Sequence, residues 1–248
     1  SSSWTLTALP LFVWMGEILF RTKLSENLFE GLSPWMQKLP GGLVHVNVVG
    51  CALFAAISGS SAATVATVGK MSIPELRKRN YPERFLLGTL AGSGTLGLLI
   101  PPSIILIIYG VTVEESIAKL FIAGIIPGIG LALLFMLYVI GWSLKNNKIM
   151  PEISEDFSFM EKVKQSGQLL PVVLLIFAVI GSIYAGVATA TEAASLGVLG
   201  ALVLSYFQKS LTKESFSKSL LGATKTSCMF AFILAGSSFL TLAMAFTG

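Results

Sequence analysis

Charged side chains are scarce in this sequence. They make up 12% of its 248 residues, whereas a typical soluble domain carries roughly a quarter. Histidine occurs once, and the two cysteines have no spacing typical of a disulfide framework or a zinc site. A Walker sequence, a His-Glu-x-x-His motif and an arginine-bearing voltage-sensor helix are absent as well. The composition argues against a soluble domain, and these residues give no basis for ATP hydrolysis or zinc chemistry.

The sequence contains long apolar stretches without charged residues. Hydrophobic residues make up 54% of the chain, and the mean hydropathy is +0.79. Stretches without Asp, Glu, Lys or Arg mostly exceed the ~18 residues that can span a bilayer core of about 30 Å. They are residues 39–69, 85–113, 120–144, 165–191, 193–208 and 226–248. We therefore predict an all-α membrane protein, built as a polytopic helical bundle.

The positive charges predict how the chain crosses the membrane. Short loops rich in Lys and Arg face the cytoplasm, and here the basic groups lie within residues 21–38, 70–84, 145–164 and 209–225. Residues 39–69 lie between two of these groups, so they are expected to enter and leave by the cytoplasmic face. As one helix they would measure ~46 Å, which exceeds a bilayer core. Their middle, Ser58-Gly59-Ser60-Ser61, suits the turn of a re-entrant helical hairpin.

A second motif, from Gly97 to Ser103, interrupts the apolar stretch 85–113. Pro101 and Pro102 lack backbone donors and clash with the preceding turn, so the transmembrane helix is predicted to break here. The break frees carbonyl groups, and a new half-helix is predicted to begin near Ser103. Carbonyl and hydroxyl oxygens are hard ligands that suit Na⁺, and a helix N-terminus favours an anion. A hairpin tip together with a broken helix is typical of secondary transporters.

Smaller polar features have local interpretations. Leucines recur at helical spacing within residues 24–39, which predicts an amphipathic helix along the inner membrane surface. Glu17 lies one turn before Arg21 and is expected to form an ion pair with it. Asn47 is expected to hydrogen-bond a neighbouring helix. Three patterns are typical of helix-capping boxes: Ser72-x-x-Glu75, Ser158-x-x-Glu161 and Thr189-x-x-Glu192.

An enzyme is the least favoured alternative. Gly59-Ser60-Ser61-Ala62 superficially resembles the Gly-x-Ser-x pattern of rhomboid-like intramembrane serine proteases, with His45 as the possible base. The histidine, however, precedes the serine on the same hairpin, whereas rhomboids place it on a later helix. We therefore predict that the protein is not an enzyme and that His45 is an interfacial or packing residue.

Motifs along nearly the whole chain accompany these two features. They are Leu9-Pro10-Leu11-Phe12, Gly16-Glu17, Leu39-Pro40-Gly41-Gly42, His45-Val46-Asn47-Val48, Phe54 to Ala62, Gly69, Pro74, Gly97 to Ser103, Tyr109-Gly110, Lys119-Leu120-Phe121, Ala123-Gly124-Ile125-Ile126-Pro127-Gly128 and Thr191-Glu192-Ala193-Ala194. In this combination the sequence resembles the large membrane (permease) subunit of tripartite ATP-independent periplasmic (TRAP) transporters. One departure is Ala190, where the family usually has proline.

The resemblance implies a Na⁺-coupled importer of small organic acids with an elevator-type, ion-transporter superfamily fold. It implies two protein partners, a small membrane subunit and a periplasmic substrate-binding protein, and a place in the bacterial inner membrane. No nucleic acid is expected, because the basic residues lie between apolar spans. The family's second, inverted hairpin is not found here, so the inverted repeat is incomplete and the chain is not expected to transport alone. A dicarboxylate/Na⁺ symporter without a binding protein is the nearest alternative.

The resemblance also assigns the site and the segments. Na⁺ is expected to bind oxygens of Ser58, Gly59, Ser60, Ser61, Gly97, Ile100 and Pro101, and the substrate to dock near Ser60, Ser61, Pro102 and Ser103. The expected segments are residues 1–38 (a transmembrane helix and an amphipathic arm helix), 39–69 (the hairpin), 70–113 (a basic loop and the broken helix) and 114–248 (further transmembrane helices).

Overall fold

The structure, a computed structural model, describes residues 7–21, 24–151, 157–167 and 169–247. These residues form α-helices joined by short turns and contain no strand. The helices are α1 (Ala8–Phe20), α2 (Leu24–Met36), α3 (His45–Ser58), α4 (Ser61–Lys78), α5 (Glu83–Gly94), α6 (Ile104–Thr112), α7 (Ile117–Lys145), α8 (Phe159–Ser166), α9 (Leu170–Tyr184), α10 (Ala190–Phe207) and α11 (Lys213–Thr247). The predicted all-α class is confirmed.

Three of the described helices are long and apolar enough to cross a membrane, namely α7, α10 and α11. A fourth is obtained if α8 and α9 form one bent span. Their outer faces carry large exposed apolar side chains, such as Ile126 at 82% and Phe232 at 80% exposure. Such surfaces are stable in hydrocarbon but not in water, so the structure agrees with the predicted helical membrane protein.

The helices pack in two groups that meet at α1. On one side, α1 packs against α10 and α11, and α9 packs on α10. On the other side, α1 packs against α3 and α6, while α3, α4 and α5 pack against one another. Phe12 of α1 and Phe121 of α7 meet edge to face with ring centroids 6.1 Å apart. The hairpin of α3 and α4 is therefore held between α1 and the broken helix.

Most of the local polar predictions are confirmed. Arg21 forms an ion pair with Glu17 at 2.7 Å, and the capping boxes at the starts of α8 and α10 are both present. The Asn47 side chain donates to the Leu86 carbonyl at 3.3 Å, which joins α3 to α5. The box predicted at Ser72 is wrong, because α4 runs through this position without interruption and Ser72 is buried in its interior. Packing of α4 outweighs the local capping pattern.

Residues 24–39 and the basic residues just before the last apolar stretch both fold as helices. The amphipathic segment 24–39 forms α2, which buries Leu28 and Leu32. The basic residues before the last apolar stretch were expected to form a loop, but helix α11 already begins at Lys213. Cys228 on α11 is exposed, while Cys51 on α3 is buried.

Tyr81 fixes the start of the hairpin. Its hydroxyl accepts a hydrogen bond from the Leu43 amide at 3.0 Å. A Cβ atom at Gly42, where φ is +53°, would lie 2.4 Å from that hydroxyl, so only glycine fits. Burial raises the pKa of Tyr81, so the hydroxyl stays neutral at physiological pH.

Replacing Tyr81 with phenylalanine should leave the Leu43 amide buried without a partner. We expect a loss of about 1–3 kcal/mol in the free energy of unfolding, because an orphaned buried donor loses its hydration without compensation. Thermal unfolding in detergent measures the change. Tyr138→Phe is the control, since Tyr138 is 59% exposed, and equal melting temperatures for the two variants would contradict the assignment.

Candidate ion and substrate site

The hairpin turns within two residues. Helix α3 ends at Ser58, Gly59 adopts a left-handed conformation with φ +58°, and Ser60 is extended. The Ser60 hydroxyl accepts from the Ala63 amide at 3.4 Å and so caps α4. Glycine is required at position 59 twice over, because its φ is positive and a Cβ would lie 2.6 Å from the Pro102 carbonyl oxygen.

Hydroxyl groups hold the turn together. The Ser58 Oγ lies 3.3 Å from the Ser60 amide, from which it accepts, and 3.0 Å from the Thr64 hydroxyl. Thr64 in turn donates to the Ser60 carbonyl at 2.7 Å. Ser58 and Thr64 are both buried. The sequence interpretation missed Thr64, although it lies one helical turn after Ser60 and faces the same loop.

The second motif breaks the helix as the prolines dictate. In a continuous helix, the carbonyls of Gly97 and Leu98 would accept from residues 101 and 102, and proline has no donor. The Ser103 hydroxyl supplies a replacement for Leu98 at 2.7 Å. Within the described residues, no donor reaches the Gly97 carbonyl. The new helix α6 begins at Ile104, with Ser103 extended before it.

The structure brings the hairpin tip and the break into direct contact. The Ile104 amide, the first of α6, donates to the Gly59 carbonyl at 3.2 Å. A Cβ at Gly97 would lie 2.8 Å from the Ser61 nitrogen and 2.9 Å from the Ser60 carbonyl carbon. The tip thus contacts the chain on both sides of the break, and the two motifs form one site.

The side chains of Ile100 and Pro101 lie against α7, where a Cβ at Gly128 would be 3.0 Å from Ile100 Cγ1 and one at Gly124 would be 3.6 Å from Pro101 Cγ. The predicted ligands at these two positions are backbone carbonyls, which these contacts do not test. The glycines of α7 were noticed only as family motifs, although two glycines four residues apart are a signal for close helix packing.

Unpaired oxygen atoms lie at the joint. The Ser61 hydroxyl is buried and has no hydrogen-bond partner among the described residues. The Ser103 side chain is buried and its proton is committed to Leu98. Ser60 is half-buried and accessible. Ser61 and the Gly97 carbonyl are candidates for a cation ligand because they lie at the joint, and not for lack of a partner alone, since buried hydroxyls without a partner also occur elsewhere in the described residues, for example at Ser72 and Ser93.

A small cavity adjoins the tip on the side of α1. It has a volume of about 160 Å³, and Ser58, Ser60 and Glu17 are among the residues that line it. Glu17 is held by Arg21 at 2.7 Å, so its charge is balanced. Gly16 makes the closest approach, since a Cβ there would be 2.9 Å from the Ser58 Cα. The residues of both motifs carry no charge, so the local electrostatics come from backbone dipoles and from the Glu17–Arg21 ion pair beside the cavity.

The geometry does not support a serine protease. His45 begins α3, and its Nε2–H donates to the Pro40 carbonyl at 2.9 Å. Ser58 ends the same helix of 14 residues, which places the two ends ~20 Å apart at 1.5 Å per residue. No histidine–serine hydrogen bond is possible over that distance.

Comparison with known proteins identifies the family of the chain. Residues 1–248 match the family model of the tripartite ATP-independent periplasmic transporter, DctM component. The chain belongs to this family. Its members are transporter permeases and not enzymes, so the TRAP resemblance is confirmed and the protease alternative is set aside.

Curated relatives of the chain differ in the substrates for which they are named. It is 36% identical to the C4-dicarboxylate TRAP transporter large permease protein DctM of Pseudomonas aeruginosa, covering 95% of this chain and 55% of the relative. It is 35% identical to the isethionate TRAP transporter permease protein DctMQ of Oleidesulfovibrio alaskensis (92% and 36%). It is 33% identical to the sialic acid TRAP transporter large permease protein SiaM of Vibrio cholerae (94% and 54%). The chain spans about half the length, or less, of these relatives.

Gly97→Ala should separate the hairpin tip from the break. The added Cβ would meet backbone atoms of Ser60 and Ser61 at less than 3 Å, so we expect a loss of about 1–3 kcal/mol in the free energy of unfolding. Gly130→Ala is the matched control, because a Cβ there meets no atom within 4 Å and alanine favours the helix. The melting temperature should fall for the first variant only, and a fall for neither would show that the contact is not tight.

Proposed function

We propose that this chain is part of the membrane subunit of a Na⁺-coupled secondary transporter that imports small organic acids. The observation that carries the proposal is the joint between hairpin tip and helix break, where the Ser61 hydroxyl and the Gly97 carbonyl lack partners among the described residues. Each buried oxygen without a partner costs roughly 1–3 kcal/mol. A bound Na⁺ would remove that cost by direct coordination.

The proposed Na⁺ ligands are the oxygen atoms of Ser58, Gly59, Ser60, Ser61, Gly97, Ile100 and Pro101. Contacts across the joint support the first five, whereas Ile100 and Pro101 could contribute only through their carbonyl groups. Because neutral oxygens alone line the two motifs, a monovalent ion is favoured over Ca²⁺, for which proteins supply carboxylates. Binding a cation there would also raise the affinity for an anion nearby.

The proposed substrate position is next to the start of α4, at Ser60 and Ser61, with Pro102 and Ser103 on the opposite side. A helix N-terminus presents unpaired amides and a partial positive charge, which suits a carboxylate. Relatives named for C4-dicarboxylate, isethionate and sialic acid are named for anions. An organic acid is therefore the substrate class that the site chemistry favours.

The proposed mechanism is of the elevator type. The hairpin is proposed to enter from the cytoplasmic face of the bacterial inner membrane and to move with the broken helix past α1. Close packing without bulky side chains at Gly16 and Ser58 would permit such sliding. The proposed partners are a small membrane subunit, separate or fused, and a periplasmic protein that delivers the substrate.

Uptake into proteoliposomes tests the proposal. They would contain the permease with any further sequence that its gene encodes, the small subunit and the purified binding protein. We expect accumulation of an organic acid to follow an inward Na⁺ gradient and to be lost with K⁺. Uptake that persists without the binding protein would favour the alternative of a dicarboxylate/Na⁺ symporter. Equal uptake with and without Na⁺ would contradict the proposed Na⁺ coupling.

Ser61→Ala tests the ion site without requiring transport. The substitution removes a buried hydroxyl that has no partner among the described residues, so the free energy of unfolding in Na⁺-free buffer should rise by about 1–3 kcal/mol. NaCl should stabilise the variant more than KCl does only at a several-fold higher Na⁺ concentration than for the wild type, because the loss of one ligand lowers the apparent affinity for Na⁺. Differential scanning fluorimetry over a salt titration measures both.

Ser72→Ala is the matched control for that titration. Ser72 is buried on the same helix and its hydroxyl is also without a partner among the described residues, but it lies three turns from the tip. Its Na⁺ response should equal that of the wild type. An identical Na⁺ response of the Ser61 and Ser72 variants would show that Ser61 is not a ligand.

A further inference from the structure

A groove of about 400 Å³ lies between α5 and α7 and contains no residue of the hairpin tip. Gly88 and Gly92 of α5 form its floor, and Leu134 and Tyr138 of α7 lie along one side. Both side chains on α7 are about 60% exposed, at 63% and 59%. The groove is thus apolar, open to the surroundings of the helix bundle, and separate from the proposed ion site.

One end of the groove is cationic. Arg84 lines it, and next to Arg84 the rings of Phe85 and Trp142 stack with centroids 3.9 Å apart, which joins α5 to α7 at this end. Nearby Arg77 is paired with Glu83. Arg84 is exposed and forms no ion pair within the described part of the chain, so its guanidinium is available to an external anion.

The groove is open at Gly88, where a Cβ would meet no atom within 4 Å, and is closed at Gly92 by the Phe135 ring, 3.3 Å from a Cβ built there. From Arg84 to Ser93, at the far end of the groove, α5 rises ~14 Å at 1.5 Å per residue. That length accommodates a substantial part of one acyl chain. A ligand that fits has an anionic head and a linear apolar tail.

We propose that this groove binds an anionic phospholipid of the cytoplasmic leaflet, with its phosphate on Arg84 and one acyl chain passing over Gly88 and along Leu134 and Tyr138. Basic pockets between transmembrane helices on the cytoplasmic side are suited to such head groups. The assignment rests on the proposed orientation, in which the basic residues 70–84 face the cytoplasm. Bound here, the lipid would fill the space between the first half of the broken helix and α7.

The test uses the detergent-purified permease and native mass spectrometry with added phosphatidylglycerol or phosphatidylcholine. We expect one tightly held phosphatidylglycerol per chain at this groove. Arg84→Gln should weaken the preference for phosphatidylglycerol over phosphatidylcholine about fivefold, the effect of one basic residue near ~1 kcal/mol. Lys70→Gln is the control, because Lys70 is an exposed basic residue outside the groove.

Gly88→Leu provides a second, steric test. The leucine would fill the floor without contacting existing atoms through its Cβ, so the protein should fold and lose the bound phospholipid of either class. Gly141→Leu on α7, also open around its Cβ, should retain it. Retention of the lipid by the Gly88 variant would overturn the proposal. Disulfide crosslinking of a cysteine at position 88 to another protein segment would also overturn it, because the groove would then be covered by polypeptide.

Discussion

A backbone hydrogen bond joins the two motifs on which the structure depends. The Ile104 amide donates to the Gly59 carbonyl, so the first free donor of α6 meets the last free acceptor of α3. Gly59 and Ile104 are both buried, and a buried backbone group without a hydrogen-bond partner is costly. The start of α6 therefore supplies a donor to the end of α3, and the end of α3 supplies an acceptor to α6. Separating them would expose both sets of backbone groups at once.

The surrounding helices are adapted to protect this joint. Gly16 on α1 and Gly124 and Gly128 on α7 allow backbone to approach backbone from opposite sides. Close packing of this kind leaves little space around the break on these two sides. On the side of α1 a cavity of about 160 Å³ remains, lined by Ser58 and Ser60 among others.

Much of this arrangement could be predicted from the residues. Charge parity and the small polar turn at residues 58–61 predict a hairpin, and paired prolines predict the break at its observed place, because both effects are local. The capping pattern at Ser72 failed, since burial of α4 decides whether that helix continues. Thr64 was missed for the same reason: its importance comes from the loop it faces in three dimensions.

The sequence by itself determined that the chain is a membrane protein of the all-α class. It also determined the positions of the hairpin turn and of the helix break. Lack of charge, lack of backbone donors and the permissive φ of glycine act within a few residues, and no tertiary contact is needed to recognise them. Only the tertiary structure decided which carbonyls keep a partner. The Ile104 amide reaches the Gly59 carbonyl and nothing described reaches the Gly97 carbonyl, because these outcomes depend on how separate helices pack.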